Sequence, residues 1–106
     1  MTLADEEAVL ERAKHDPQQF GPVFDAYYPK IFGYAMRRTG LYDVARDIAA
    51  ETFLKAVLAL PGFHWKNIPA SAWLFRIATN EVNQYFRRQK TENTVIAGLH
   101  HELVFT

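Results

Sequence analysis

The stretch ASAWLFRIATNEVNQYFRRQK, from Ala70 to Lys90, decides how this chain is read. Set out at about 100° per residue, the advance of an α-helix, it separates into two faces of different chemistry. Trp73, Leu74, Ile77, Ala78, Val82 and Tyr85 recur at helical spacing and make an apolar side. Opposite them, Arg76, Thr79, Asn80, Asn83, Arg87 and Lys90 fall in one narrow stripe that contains no carboxylate. Guanidinium, amide, hydroxyl and ammonium groups are the set a protein offers to phosphates and base edges. The spacing predicts a helix that packs on one side and faces nucleic acid with the other.

Around this stretch the chain has the size and balance of one helical domain. Its 106 residues suit a single core, and 49% apolar against 23% charged residues is a globular mixture. The start, MTLADEEAVLERAK, is acidic and lacks the apolar segment of a signal peptide. No apolar run is long enough to span a bilayer, so no membrane insertion is expected and the cytoplasm is the simplest location. The absence of cysteine excludes disulfides and thiolate metal sites. The formal net charge of zero conceals a segregation. From Met1 to Ala26, Asp5, Glu6, Glu7, Glu11, Asp16 and Asp25 outweigh Arg12 and Lys14, leaving −4. From Pro61 to Lys90, Lys66, Arg76, Arg87, Arg88 and Lys90 face only Glu81, leaving +4. A neutral chain with one basic end can bind a polyanion through that end, although ordinary solvated surface looks similar on charge alone.

Breaks along the sequence divide it into helices. A first is expected over about Ala4 to Lys14, with acids in its first turn. Asp16-Pro17 marks a break, Asp16 as N-cap and Pro17 at the first helical position. The next helix carries an apolar stripe of Phe20, Val23, Phe24, Tyr27, Ile31, Tyr34 and Ala35. Its period continues across Pro29, which implies a kink, with a stop as the alternative. Gly40 is placed just past its end. A third helix spans about Asp43 to Leu60, halted by Pro61-Gly62. The segment GFHWKNIPAS is a loop, and the fourth helix begins near Pro69 or Ser71. The tail TENTVIAGLHHELVFT is a linker remnant or a short helix packing Val95, Ile96, Leu99 and Leu103. The expected fold is all-α, a compact bundle of four to five helices.

No pattern points to catalysis. There is no GxxxxGK[ST], GxSxG or HExxH, and no thiol nucleophile. Asp43, Asp47 and Glu51 share a helix face and could in principle hold a cation, but the Glu-x-x-His pairs of a di-metal bundle are missing. No catalytic residue, metal or cofactor is assigned. Leu54 and Leu58 lie close to the face of Asp47 and Glu51, while Ile48, Ala49, Thr52, Phe53 and Ala56 occupy the opposite side. Acids beside exposed leucines suit a protein partner carrying Arg or Lys among apolar residues. The alternative is a solvated acidic face with its leucines tucked against a neighbouring helix.

Two blocks of residues resemble a known family. RDIAAETFLKAVLALPGF followed by ASAWLFRIATNEVNQYFRRQK is similar to region 2 of bacterial RNA polymerase sigma factors, in particular the extracytoplasmic-function (ECF) group. The family's third helix reads roughly D-[LIV]-x-Q-E-x-F-L-[RK]-A, matched by Asp47, Ile48, Glu51, Phe53, Leu54, Lys55 and Ala56. The next reads roughly W-L-[FY]-x-I-A-x-N, matched by Trp73, Leu74, Phe75, Ile77, Ala78 and Asn80, with Arg87-Arg88 after it. Upstream, DPQQFGPVFDAYYPKIFGYAMRRTG looks like the family's opening helices, so the resemblance runs from about Asp16 to Lys90.

The resemblance implies an alternative sigma factor domain that is not an enzyme, and that binds core RNA polymerase and recognises and helps melt the promoter −10 element. The third helix would dock on the clamp helices of the polymerase β′ subunit through Asp47, Ala50, Glu51, Leu54, Lys55 and Leu58. A flipped-out base of the non-template strand would be held by the loop residues His64, Trp65, Lys66 and Asn67. Arg76, Thr79, Asn80 and Asn83 would read or steady the strand, with Arg87, Arg88 and Lys90 on phosphates. Trp73 falls where primary sigma factors hold the strands apart, or is partly core. Trp65 could equally cap the core under the loop, and Asn80 could serve a local hydrogen bond. An anti-sigma factor is a further implied partner. A sigma-like module that binds an anti-sigma factor without touching DNA is the competing reading; it would not need the polar stripe aligned.

Some positions depart from the pattern. Ala50 stands where the family often has Gln, removing one hydrogen bond from the expected polymerase interface, and Gln84 stands where Asp is frequent. The loop HWKNIP points to no particular promoter sequence. The family's second DNA-binding domain, a helix-turn-helix for the −35 element, should follow a linker after about Thr91. The chain is therefore expected to hold a region 2 domain over residues 1–91 and a tail over 92–106, as a fragment cut near a domain boundary or, alternatively, as a natural single-domain protein.

Overall fold

Caps and breakers set the order of elements. A computed structural model describes residues 1–105, with side chains through Val104, as four α-helices. They are α1 (Leu3–His15), α2 (Gly21–Thr39), α3 (Tyr42–Ala59) and α4 (Ala70–Phe105), with 3-10 turns at Pro17–Phe20 and Leu60–Gly62. No strand occurs among the described residues, and the fold is the expected all-α bundle.

Each boundary has a local cause. Thr2 and Asp5 form a reciprocal capping box at α1, Asp5 N–H donating to Thr2 Oγ1 at 3.1 Å and Thr2 N–H to Asp5 Oδ2 at 3.0 Å. Asp16 caps as expected, accepting from the Gln18 N–H at 3.1 Å, but Pro17 opens a 3-10 turn, and α2 starts only at Gly21. Pro29 does not stop α2. It and Asp25, whose carbonyl would have accepted the missing N–H, are both exposed, so the orphaned carbonyl lies on the solvent side. Gly40 ends α2 at φ 71°, its N–H reaching Met36 O at 2.8 Å. That left-handed conformation suits a residue without Cβ.

The helices meet through small residues. Ala35, Ala45, Ala49, Ala56 and Ala78 are fully buried, which lets α2, α3 and α4 approach closely. Leu10, Phe20, Val23, Ile31, Phe53, Leu60 and Leu74 fill the main core, and Ala35, Ala45, Ile48 and Val82 make a smaller one near the Gly40 turn. Buried Thr52 satisfies its hydroxyl on Ile48 O at 2.8 Å. On α4, Leu74, Ala78 and Val82 are buried as the apolar face requires.

The tail departs from one expectation. Val95, Ile96, Leu99 and Leu103 do not fold back as a short packed helix; α4 runs unbroken to Phe105, and every residue from Thr91 to Val104 is exposed. The apolar face of α4 simply continues past the end of the bundle, giving the molecule extents of 64 × 25 × 22 Å.

Candidate nucleic-acid interface and acidic docking face

The polar stripe of α4 lies open. Arg76, Asn80, Asn83, Arg87 and Lys90 are exposed along one side of the helix, over about 21 Å at 1.5 Å per residue. Thr79 is drawn away from that row. It is half-buried, its hydroxyl sharing a 3.1 Å hydrogen bond with that of Tyr34 on α2. Arg38 in turn donates to the Tyr34 hydroxyl at 2.7 Å and lies over its ring. Arg38 thus brings a cation from α2 toward the stripe, a contribution missed in the sequence because it belongs to another helix.

At its N-terminal end the stripe opens onto a cleft of about 400 Å³ between the loop and α4. Phe63, His64, Lys66, Ile68, Trp73 and Arg76 line it, so an aromatic and aliphatic floor carries three cationic or donor groups at its rim. Trp73 packs on Phe63 with ring centroids 4.6 Å apart. Of the four loop residues singled out in the sequence, His64 and Lys66 border this cleft and Trp65 and Asn67 do not. Trp65 is half-buried against Phe63, at 6.5 Å between centroids, and packs on the main core. Asn67 is exposed with φ 58°, a turn conformation asparagine accepts more readily than most side chains.

The acidic side of α3 is also open. Asp47, Ala50 and Glu51 are exposed, and Leu54 and Leu58 are 52% and 70% exposed, so these leucines are not tucked against a neighbour. Lys55 is different. Its ammonium pairs with the buried carboxylate of Glu81 on α4 and so serves the fold. A groove of about 450 Å³ between α3 and α4 gathers Asp47, Glu51, Lys55, Glu81, Tyr85 and Arg88. Arg88 therefore sits beside the acids, donating to Gln84 Oε1 at 3.3 Å, about 120° around α4 from Arg76. Among the described residues, no group of three or more His, Asp or Glu side chains is placed to hold a metal ion.

Glu6 is the other residue missed. It is buried on α1, accepts the Tyr27 hydroxyl, and accepts the Ala70 N–H at 2.8 Å. In composition it looks like Asp5 and Glu7, which are exposed, but its spacing of three, four and seven residues from Val9, Leu10 and Ala13 puts it on the core-facing side of α1, a signal the sequence carries. Burial of the Tyr27 hydroxyl, together with its hydrogen bond to Glu6, raises its pKa to about 12.

The family model for sigma-70 region 2 matches residues 23–92. The chain belongs to the sigma-70 region 2 family, in its ECF branch. It is similar to the ECF RNA polymerase sigma factor BldN of Streptomyces coelicolor, 31% identical over 91 residues, covering 85% of this chain and 34% of that protein. It is similar to the ECF RNA polymerase sigma factor SigW of Bacillus subtilis, 32% identical over 92 residues, covering 87% and 49%. A third relative is the RNA polymerase sigma factor YlaC of Bacillus subtilis, 33% identical over 66 residues, covering 62% and 38%. The chain spans about a third to a half of the length of these relatives. No solved structure matches it.

Proposed function

We propose that this domain docks on core RNA polymerase through α3 and takes the non-template strand of the promoter −10 element into the loop–α4 cleft and along α4. The observation that carries this is the exposed, carboxylate-free row of Arg76, Asn80, Asn83, Arg87 and Lys90 leading into a cleft floored by Trp73. Opening a duplex costs a few kcal/mol of pairing and stacking per displaced base. An aromatic wall can return about 1–3 kcal/mol for each base it stacks. Cations along the row add a salt-dependent attraction to the strand backbone. His64 and Lys66 supply hydrogen-bond donors at the cleft rim, and Trp65 supports the loop from beneath.

The polymerase side rests on Asp47 and Glu51 beside exposed Leu54 and Leu58, a surface that matches clamp arginines flanked by apolar residues. Lys55 and Arg88 act within or beside the α3–α4 groove, so the phosphates fall chiefly to Arg87 and Lys90. An anti-sigma factor, if bound, would compete for the same α3 face. A module serving an anti-sigma factor alone has no use for the aligned row.

The test is binding of the chain to core polymerase, followed by titration with −10 non-template oligonucleotides of varied sequence over a range of salt. Arg87→Ala with Lys90→Ala should weaken strand binding and reduce the salt slope by about 0.7 for each phosphate that is no longer neutralised. An unchanged slope would take Arg87 and Lys90 out of the DNA interface.

A further inference from the structure

Glu6 lies on α1, outside residues 23–92 of the family match, in an acidic segment whose composition suggests only solvated surface. Yet it is 2% exposed. Its Oε2 accepts from the N–H of Ala70, the first residue of α4, and its Oε1 accepts from the Tyr27 hydroxyl on α2. The N–H groups of a helix's first turn have no partners within the helix, and the positive end of the helix dipole lies there. A carboxylate at this point answers both, and it ties three helices together where the loop becomes α4.

That junction is also the wall of the cleft. Pro69, Ala72 and Trp73, all within one turn of Ala70, line it, and Arg76 follows one turn later. The loop itself has little regular structure: the Phe63 N–H bonds Leu60 O at one end, and Ala70 is held by Glu6 at the other. A loop fixed at both ends loses less freedom when a ligand enters, so less binding energy is spent on ordering it.

We propose that Glu6 is a positioning residue for the DNA cleft: its buried carboxylate fixes the first turn of α4 and so preorganises His64, Lys66 and Trp73 for an unpaired strand. It acts through Ala70 and touches no DNA. The inference depends on the cleft being the strand site. Attachment of α1 does not depend on Glu6 alone, since Val9, Leu10 and Ala13 are buried in the main core.

The test uses the full chain with Glu6→Gln and Tyr27→Phe, at a temperature where circular dichroism shows each to be folded. Glutamine carries no charge and places an amide N–H where one carboxylate oxygen accepted, so with Ala70 kept on its oxygen the Tyr27 hydroxyl must turn to accept instead of donate. Tyr27→Phe leaves the Ala70 bond in place. Three quantities are read: affinity for a −10 non-template oligonucleotide, affinity for core polymerase, and acrylamide quenching of Trp65 and Trp73, the chain's two tryptophans. Glu6→Gln should lower strand affinity roughly tenfold and raise quenching, with polymerase affinity held within about twofold; Tyr27→Phe should fall between it and the parent. A melting midpoint that falls while strand affinity and quenching stay at parental values would overturn the proposal, leaving Glu6 a purely stabilising residue. Failure of the parent chain itself to bind the strand would overturn the cleft assignment instead. Quenching alone would then still decide whether Glu6 orders the loop.

Discussion

Lys55 and Glu81 form an ion pair with unequal ends: the lysine side chain is 41% exposed and the glutamate 6%. Removing the lysine leaves a carboxylate in the α3–α4 interface without its cation. Lys55→Ala should therefore cost about 1–3 kcal/mol in denaturant unfolding, while polymerase affinity changes little for the folded chain. Tyr27 makes a similar point with pH. Its hydroxyl is held up to about 12, against 10 in the unfolded chain, by burial and by its bond to Glu6. A raised folded value means that its stabilisation is complete below pH 10 and is lost as the pH climbs from 10 through 12. The stability gap between the parent and Tyr27→Phe should narrow across that window, and one of the five tyrosines should ionise late in an absorbance titration. Gly40, at φ 71°, should tolerate no Cβ without strain, so Gly40→Ala should lower stability by about 1–2 kcal/mol.

Among the elements, α4 does two jobs along one rod. Its first half is clamped by α2 and α3 and presents the polar row outward; its second half leaves the bundle with Val95, Ile96, Leu99 and Leu103 open to water. A helical segment of about 14 residues without tertiary packing is marginal on its own. Amide hydrogen exchange should therefore be fast from about Thr91 onward and slow through Leu74, Ala78 and Val82. Equal protection along the whole of α4 would mean that something covers its tail in solution. α3 divides by face instead of by length: one side gives Ala49, Thr52, Phe53 and Ala56 to the core, and the other leaves Asp47, Glu51, Leu54 and Leu58 exposed.

For the molecule as a whole, the two open surfaces are separate. The acids are exposed on α3 and the row on α4, and the α4 residue that borders the acids is Arg88, about 120° around the helix from Arg76. Glu51→Arg should abolish polymerase binding and leave oligonucleotide binding by the free chain intact, whereas Arg87→Ala with Lys90→Ala should weaken oligonucleotide binding and leave polymerase binding intact. Loss of both activities in either variant would mean that the surfaces are coupled. Both depend on one core. Leu74→Ala, at a fully buried site between them, should cost about 2–5 kcal/mol and impair both activities only as the chain unfolds.

Apolar periodicity and breakers such as Pro17, Gly40 and Pro61 are local properties of the chain and determined that four helices form, though not that α2 waits until Gly21 or that α4 runs on through the tail. The same repeat placed Arg76, Asn80, Asn83, Arg87 and Lys90 in one row and Asp47, Glu51, Leu54 and Leu58 in another. Tertiary structure decided the rest, where a side chain's partner lies far along the sequence. Thr79 joined Tyr34 from α2, Lys55 was taken by Glu81, and Arg88 came to rest beside the acids of α3. Glu6, on the apolar face of α1 by its spacing to Val9, Leu10 and Ala13, became the buried anchor of α4 because packing carried it to an N–H 64 residues away, a partner no local pattern could name.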